Sequence, residues 1–392
     1  MNDSTGVSTR TDQHIPALDG VRGVAILLVM VHHLFVLQPT TRIEKSLESV
    51  AALGVFGVDL FFVLSGFLIT RILLVGGGTP YALGGFYLRR MLRIFPLYYF
   101  LLALCFIVLP FAMRAVPEAA AKLGRFQGAA NDWLWYVLFL TNFSVAAAGK
   151  WRHGVMDVTW SLAIEEQFYL IWPWVVRLCS PRQLERVCLM FILVALGCRI
   201  SLWVAGASDL TIYVLTPCRM DALAIGGLLA ARTFRVPLDS LTVKAAGLVV
   251  AVGVPVVVSL AALGLLHYQQ PWVYTFGYTL MDLIGGAIII LAITSPTSSL
   301  QRSILTNGVL TFFGKYSFAI YLIHLPIRAV IRDLFFGDSQ FQTMPGGQIV
   351  GQIAFYFIAT LGVIPFALLS WHLIEKRALE LKRYIPTNRA PS

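Results

Sequence analysis

The sequence predicts an all-α, polytopic integral membrane protein of about ten transmembrane helices plus one partial or re-entrant helix. Composition is the first observation: 58% of the 392 residues are hydrophobic, 13% are charged and mean hydropathy is +0.76, against roughly 45–50% apolar residues in soluble domains. The second is the number of long apolar runs, since a span takes about 20 mainly apolar residues. The third is the placement of Lys and Arg between those runs, which follows the positive-inside rule.

Eleven segments qualify by length or composition: 18–38, 52–75, 94–113, 133–148, 160–178, 187–205, 211–231, 243–266, 275–294, 309–331 and 350–372. Basic residues cluster in 71–93, 177–186, 232–244 and the tail from Lys376, so these connections are expected on the cytoplasmic side. Strict alternation cannot place both 71–93 and 177–186 there, because three segments separate them. The weakest of the three, WLWYVLFLTNFSVAAA at 133–148, is short and holds Asn142, so it reads as the partial helix. Ten crossings with both termini cytoplasmic remain, in the cell's cytoplasmic membrane.

Residues 1–14 are polar, lack a signal-peptide pattern and read as a disordered cytoplasmic tail; 15–375 form one transmembrane domain, and 376–392 a basic cytoplasmic tail. The net charge of +10 is accounted for by topology, which removes the argument for nucleic acid. Five cysteines without a C-x-x-C pattern indicate neither a disulfide framework nor a zinc site, and no metal or permanently bound cofactor is expected.

Ionisable groups within apolar segments mark function or interhelical networks. In the first span, Arg22 and His33 are eleven residues apart, which places them within about 20° on one helix face and about 16 Å apart along it. One elongated ligand could touch both. His32 points about 100° away from His33, so at most one of the two imidazoles is expected on that path. In WSLAIEEQFYLIWP, Ser161, Glu165 and Tyr169 share a face at spacings of four, with Glu166 adjoining. A carboxylate there could orient an imidazole, or tie helices together.

Arg89, Arg90 and Arg93 in RRMLRIFP form a basic helical face suited to phosphate, or to ordinary anchoring. Arg219 and Asp221 lie about 200° apart on a helix and cannot pair with each other, so each needs another partner. Asp59, Asp282, Ser317 and His324 are further polar groups in apolar runs, with Tyr321 beside the face shared by Ser317 and His324. Lys150, Arg152, His153 and Asp157 fall in a region, 114–159, expected to face away from the cytoplasm, as solvated charges or polar-substrate contacts.

Six ordered blocks, LDGVRGVAILLVMVHH (which includes Asp19), GVDLFFVLSGFLI, RRMLRIFP, WSLAIEEQFYLIWP, PCRMDALAIGG and YSFAIYLIHLP, together resemble acyltransferase family 3. That family includes O-antigen and exopolysaccharide O-acetylases, nodulation-factor acetylases and macrolide acyltransferases. The resemblance implies that His33 is the catalytic histidine and that Glu165 belongs to the active centre. It also implies that Arg22, Arg90 and Arg93 serve the acyl donor, with Asp19, Arg89, Ser161, Tyr169, Arg219, Asp221 and His324 as supporting residues.

The implied donor is acyl-CoA, commonly acetyl-CoA, as a co-substrate. The implied acceptor is a hydroxyl on a glycan, a glycolipid or lipid-linked saccharide, or a macrolide. Some relatives carry an appended hydrolase-like domain; about twenty residues follow the last expected span, so none is expected here. His32 departs from the aromatic or apolar residue usual beside the catalytic histidine. A transporter or flippase using the intramembrane charges as a substrate or proton path is the competing class; the absence of an internal repeat argues against it.

Overall fold

The computed structural model describes residues 14–76, 80–115, 132–152, 154–266, 270–296, 298–332 and 347–385; all structured elements among them are helical. The order begins with α1 (Pro16–His33), which has proline in its first turn, and α2 (Arg42–Ala52), opened by a Thr41/Glu44 capping box. There follow α3 (Phe56–Val75), α4 (Pro80–Ala103), α5 (Leu109–Ala115), α6 (Trp133–Val137), α7 (Thr141–Ala148) and α8 (Thr159–Leu178). A second capping box, Ser180/Gln183, opens α9 (Pro181–Val204). After it come α10 (Asp209–Val214), α11 (Thr216–Arg235), α12 (Ser240–Ala262), α13 (Tyr278–Thr294), α14 (Leu300–Leu305), α15 (Gly308–Lys315), α16 (Ser317–Ile331), α17 (Gly347–Ser370) and α18 (Lys376–Glu380).

Seven helical stretches are long and apolar enough to cross a membrane, or eight if α15 and α16 count as one bent span. The expected ten adds α1 and α8, of 18 and 20 residues, about 27 and 30 Å long at 1.5 Å per residue. Both are interrupted by the ionisable groups that drew attention to them. Segment 133–148 is two helices of 5 and 8 residues, separated at Phe139, whose φ of 54° is left-handed. Neither piece can span a bilayer.

Several expected boundaries need correction. Segment 71–93 is not a loop throughout: α4 begins at Pro80 and carries Arg89, Arg90 and Arg93 on its middle turns. Segment 309–331 bends by 77° between α15 and α16. Segment 211–231 divides at the extended Leu215, just before Pro217 in the first turn of α11. The tail placed from 376 is helical to Tyr384, because KRALELKRY is rich in strong helix formers although too polar for a span. Residues 1–13 and 386–392 of the two expected tails, and His153, lie outside the described residues.

At the centre α3 packs against α1, α11 and α13, with α9 behind α11 and α15 against α1. The α3–α11 crossing is set by reciprocal glycines. A Cβ on Gly66 would stand 2.0 Å from the Leu223 carbonyl oxygen, and one on Gly226 1.9 Å from that of Val63. Small residues let membrane helices approach this closely. Gly226→Val must therefore force two backbones apart, and we expect about 1–3 kcal/mol of destabilisation or more, read as a lower melting temperature in detergent. Gly247→Ala, where a Cβ meets nothing within 4 Å, is the matched control; equal melting of the two variants would contradict the assigned crossing.

Candidate active site

Three chambers lie along the path marked by Arg22 and His33. The first, of about 750 Å³, is lined by six cations, Arg22, Arg89, Arg90, Arg93, Lys315 and Lys382, and one carboxylate, Asp19. Asp19 is held by Arg22 at 2.8 Å and His14 at 2.6 Å. The bend after α15 and the helical extension past residue 375 supply Lys315 and Lys382, so both departures from the expected boundaries build this chamber. Aromatic rings brace the cations: Arg90 lies 5.0 Å from the Tyr169 ring centroid, and Arg93 and Lys315 lie 5.9 and 5.2 Å from that of Trp371. So dense a positive lining suits a polyanion.

Arg22, Arg90 and Arg93 also line a middle chamber of about 120 Å³, with Ser65, Ser161, Glu165, Tyr169 and Tyr321. The helical spacing of Ser161, Glu165 and Tyr169 does bring them to one cavity. Ser65 donates to Glu165 at 2.6 Å, and the Tyr169 hydroxyl donates to Ser65 at 3.1 Å. Tyr321 donates to the Val158 carbonyl at 2.9 Å and meets Ser161 at 2.6 Å. Those contacts join α16 to the start of α8 and form the far wall.

Tyr321 and Val58 are shared with a third chamber of about 540 Å³ that contains His32 and His33, together with Lys150, Asp157, Asp209 and Arg328. Trp160, Tyr213 and Tyr278 add aromatic faces to it. Both histidines line this space, contrary to the expectation that only one would. Their ring centroids are 5.1 Å apart, and at the last turn of α1 the chamber is wide enough to take in both directions. His33 Nδ1 lies 2.9 Å from His324 Nε2 on α16.

Of the two readings open for Glu165, the contacts correspond to the tie between helices and not to a bond with His33. Glu165 is hydrogen-bonded in the middle chamber, whereas the histidine's ring partner is His324, 291 residues away in sequence. Arg219 and Asp221 have the separate partners their spacing demands. Arg219 pairs with Asp59 of α3, and Arg199 of α9 donates to Asp221 at 2.8 Å. The Arg219 guanidinium lies 4.2 Å from the Tyr278 ring centroid, so this ion network backs the wall of the third chamber without lining it. Ser317 donates to the Gly314 carbonyl and helps close the bend.

Of the expected loop charges, Lys150 and Asp157 reach the third chamber, while Arg152 pairs with Asp132. Asp157 accepts from Tyr136 at 3.1 Å and the Gly154 amide at 2.7 Å. Ser65, Arg199, Lys315 and Arg328 were not anticipated. For Arg199 and Arg328 a signal existed, namely an arginine inside an apolar run; Ser65 and Lys315 carried none. All five cysteines are free, and among the described residues no three His, Cys, Asp or Glu side chains are grouped as metal ligands.

Fold and chambers together define a multi-pass helical membrane protein with a polar path from a basic chamber to a histidine pair. The profile of the acyltransferase domain of acyltransferase family 3 matches residues 15–372, and the chain belongs to that family. It is 28% identical over 339 residues to the O-acetyltransferase OatA of Staphylococcus aureus strain NCTC 8325, covering 82% of this chain and 52% of that protein. It is 29% identical over 334 residues to the peptidoglycan O-acetyltransferase OatA of Listeria monocytogenes, covering 80% of this chain and 49% of that protein. The chain thus spans about half the length of these curated relatives. No solved structure matches it.

Proposed function

We propose that this protein transfers an acyl group, acetyl in the simplest case, from a coenzyme A thioester to a hydroxyl of a cell-surface glycan or its lipid-linked precursor. The observation that carries the reading is the alignment of the chambers: Arg22, Arg90 and Arg93 belong to the first two, and Tyr321 and Val58 to the last two. Phosphates of the donor bind in the basic chamber, and the pantetheine arm runs through the middle chamber towards His33. The glycan occupies the third chamber against its aromatic and mixed-charge walls. The basic end faces the cytoplasm, where the donor is made and where the basic connections belong.

In this mechanism His33 takes the acceptor hydroxyl proton while the oxygen attacks the thioester carbonyl carbon. The C–S bond breaks, the ester forms, and the imidazolium proton goes to the departing thiolate. Ser65, Glu165 and Tyr169 line the donor's route. Resemblance to two O-acetyltransferases, one named for peptidoglycan, supports a glycan over a macrolide as acceptor.

The test is thiol release from acetyl-CoA by detergent-purified protein across a panel of glycan acceptors. We expect acceptor-stimulated release; substrate flux without release in the reconstituted protein would favour transport instead. In the same assay, Arg90→Gln/Arg93→Gln should raise the KM for acetyl-CoA about tenfold or more, because charge-assisted hydrogen bonds each contribute about 1.5–3 kcal/mol. Turnover at saturating donor should change little, since remote contacts mainly supply binding energy. An unaltered KM would remove this pair from the donor site.

A further inference from the structure

We propose that His324 is a positioning residue that fixes the tautomer of His33, leaving the Nε2 of His33 as the basic nitrogen. The inference rests on the reading of His33 as the base and adds what orients it. His324 is fully buried in α16. Its Nδ1 lies 2.7 Å from the Tyr321 carbonyl oxygen and 3.1 Å from that of Ile320. A carbonyl oxygen only accepts, so Nδ1 of His324 must carry the hydrogen.

A neutral imidazole has one N–H, so Nε2 of His324 is then an acceptor. Neutrality follows from the surroundings. A charged imidazolium buried without an anion is costly, and the hydrogen-bond partners of this ring are two carbonyls and the His33 imidazole, none of them anionic. The 2.9 Å contact therefore runs in one direction, from His33 Nδ1–H to His324 Nε2. Because Nδ1 of His33 holds its hydrogen, its Nε2 bears the lone pair. His33 lines the third chamber, where an incoming hydroxyl would meet it.

The sequence of donors and acceptors is thus Tyr321 and Ile320 carbonyls, His324, His33, then an incoming hydroxyl. His324 does for His33 what a buried carboxylate does in other imidazole-based centres: it selects one ring nitrogen and holds the ring plane. It differs in adding no negative charge to the membrane interior. The ring centroids are 4.9 Å apart with planes tilted by 32°, so both rings are held by one contact and the α16 backbone.

The deciding experiment is nitrogen-15 NMR of full-length protein labelled at histidine and held in nanodiscs, with the His33 signals assigned by their loss in His33→Gln. The expected pattern for His33 is a protonated Nδ1 and an unprotonated Nε2, the tautomer that free imidazole side chains disfavour. His324→Leu should return His33 to the ordinary Nε2–H form, and His324→Gln, whose side-chain oxygen can accept from Nδ1–H, should restore the wild-type pattern. In thiol release, His324→Leu should lower kcat about 10–100-fold, the scale seen when a partner orienting an imidazole is removed, with the KM for acetyl-CoA unchanged and partial recovery in His324→Gln.

An Nε2–H tautomer of His33 in the wild-type protein would overturn the proposal, and that spectrum decides even if His324→Leu does not fold. A wild-type protein with the expected tautomer but no transfer to any acceptor would leave this inference standing and count against the proposed function.

Discussion

Purified His33→Ala protein should release thiol about 10²–10⁴ times more slowly than wild type, the contribution of a positioned general base. Its melting temperature and donor affinity should stay near wild type. The expectation of selective loss follows from position: His33 ends α1 at the wall of the 540 Å³ chamber and its ring contact is to another imidazole, so the helix keeps its buried face without it. His32→Ala serves as the comparison, because His32 lines the same chamber while the 2.9 Å hydrogen bond to His324 belongs to His33. Near-wild-type turnover in His33→Ala, together with loss in His32→Ala, would transfer the role to the neighbouring ring.

Arg219→Leu should produce the largest loss of stability. It leaves Asp59, 1% exposed, without the guanidinium that pairs with it between α3 and α11, and breaking a buried pair from one side costs about 3–5 kcal/mol. Removing both partners is less harmful than removing one, so Asp59→Leu/Arg219→Leu should melt above Arg219→Leu. The double-mutant cycle isolates the pair energy. Additive effects of the two single substitutions would show that they do not act as a pair.

Local periodicity carried much of this site. The eleven-residue interval between Arg22 and His33 did mark one path, and the spacing of Ser161, Glu165 and Tyr169 did mark one cavity face. The argument that Arg219 and Asp221 need different partners held because helix geometry forbids their pairing. It could not name those partners, since Asp59 and Arg199 arrive from other helices. For the same reason His324 was visible as a polar residue in an apolar run but not as the partner of His33.

For Glu165 helix spacing left two readings open, orienting an imidazole or tying helices together, and could not choose between them because its partner Ser65 arrives from another helix. Hydropathy also located the apolar runs but not their interruptions. The left-handed Phe139, the bend at Tyr316 and the helical continuation past residue 375 are decided by backbone conformation and by residues too polar to register as spans.

The wall built by Tyr321, Ser161 and Val158 has an electrical meaning. Two wide chambers meet at a constriction of about 120 Å³, and in a membrane-spanning protein the voltage falls mainly across whatever separates the wetted ends. A unit charge carried through the full potential exchanges about 2.3 kcal/mol per 100 mV, whereas a neutral acetyl group feels none of it. For the proposed reaction the wall is therefore an insulator as well as a boundary: an uncharged acyl group crosses independently of membrane voltage, while a dicarboxylic acyl group such as succinyl would be driven or resisted by it.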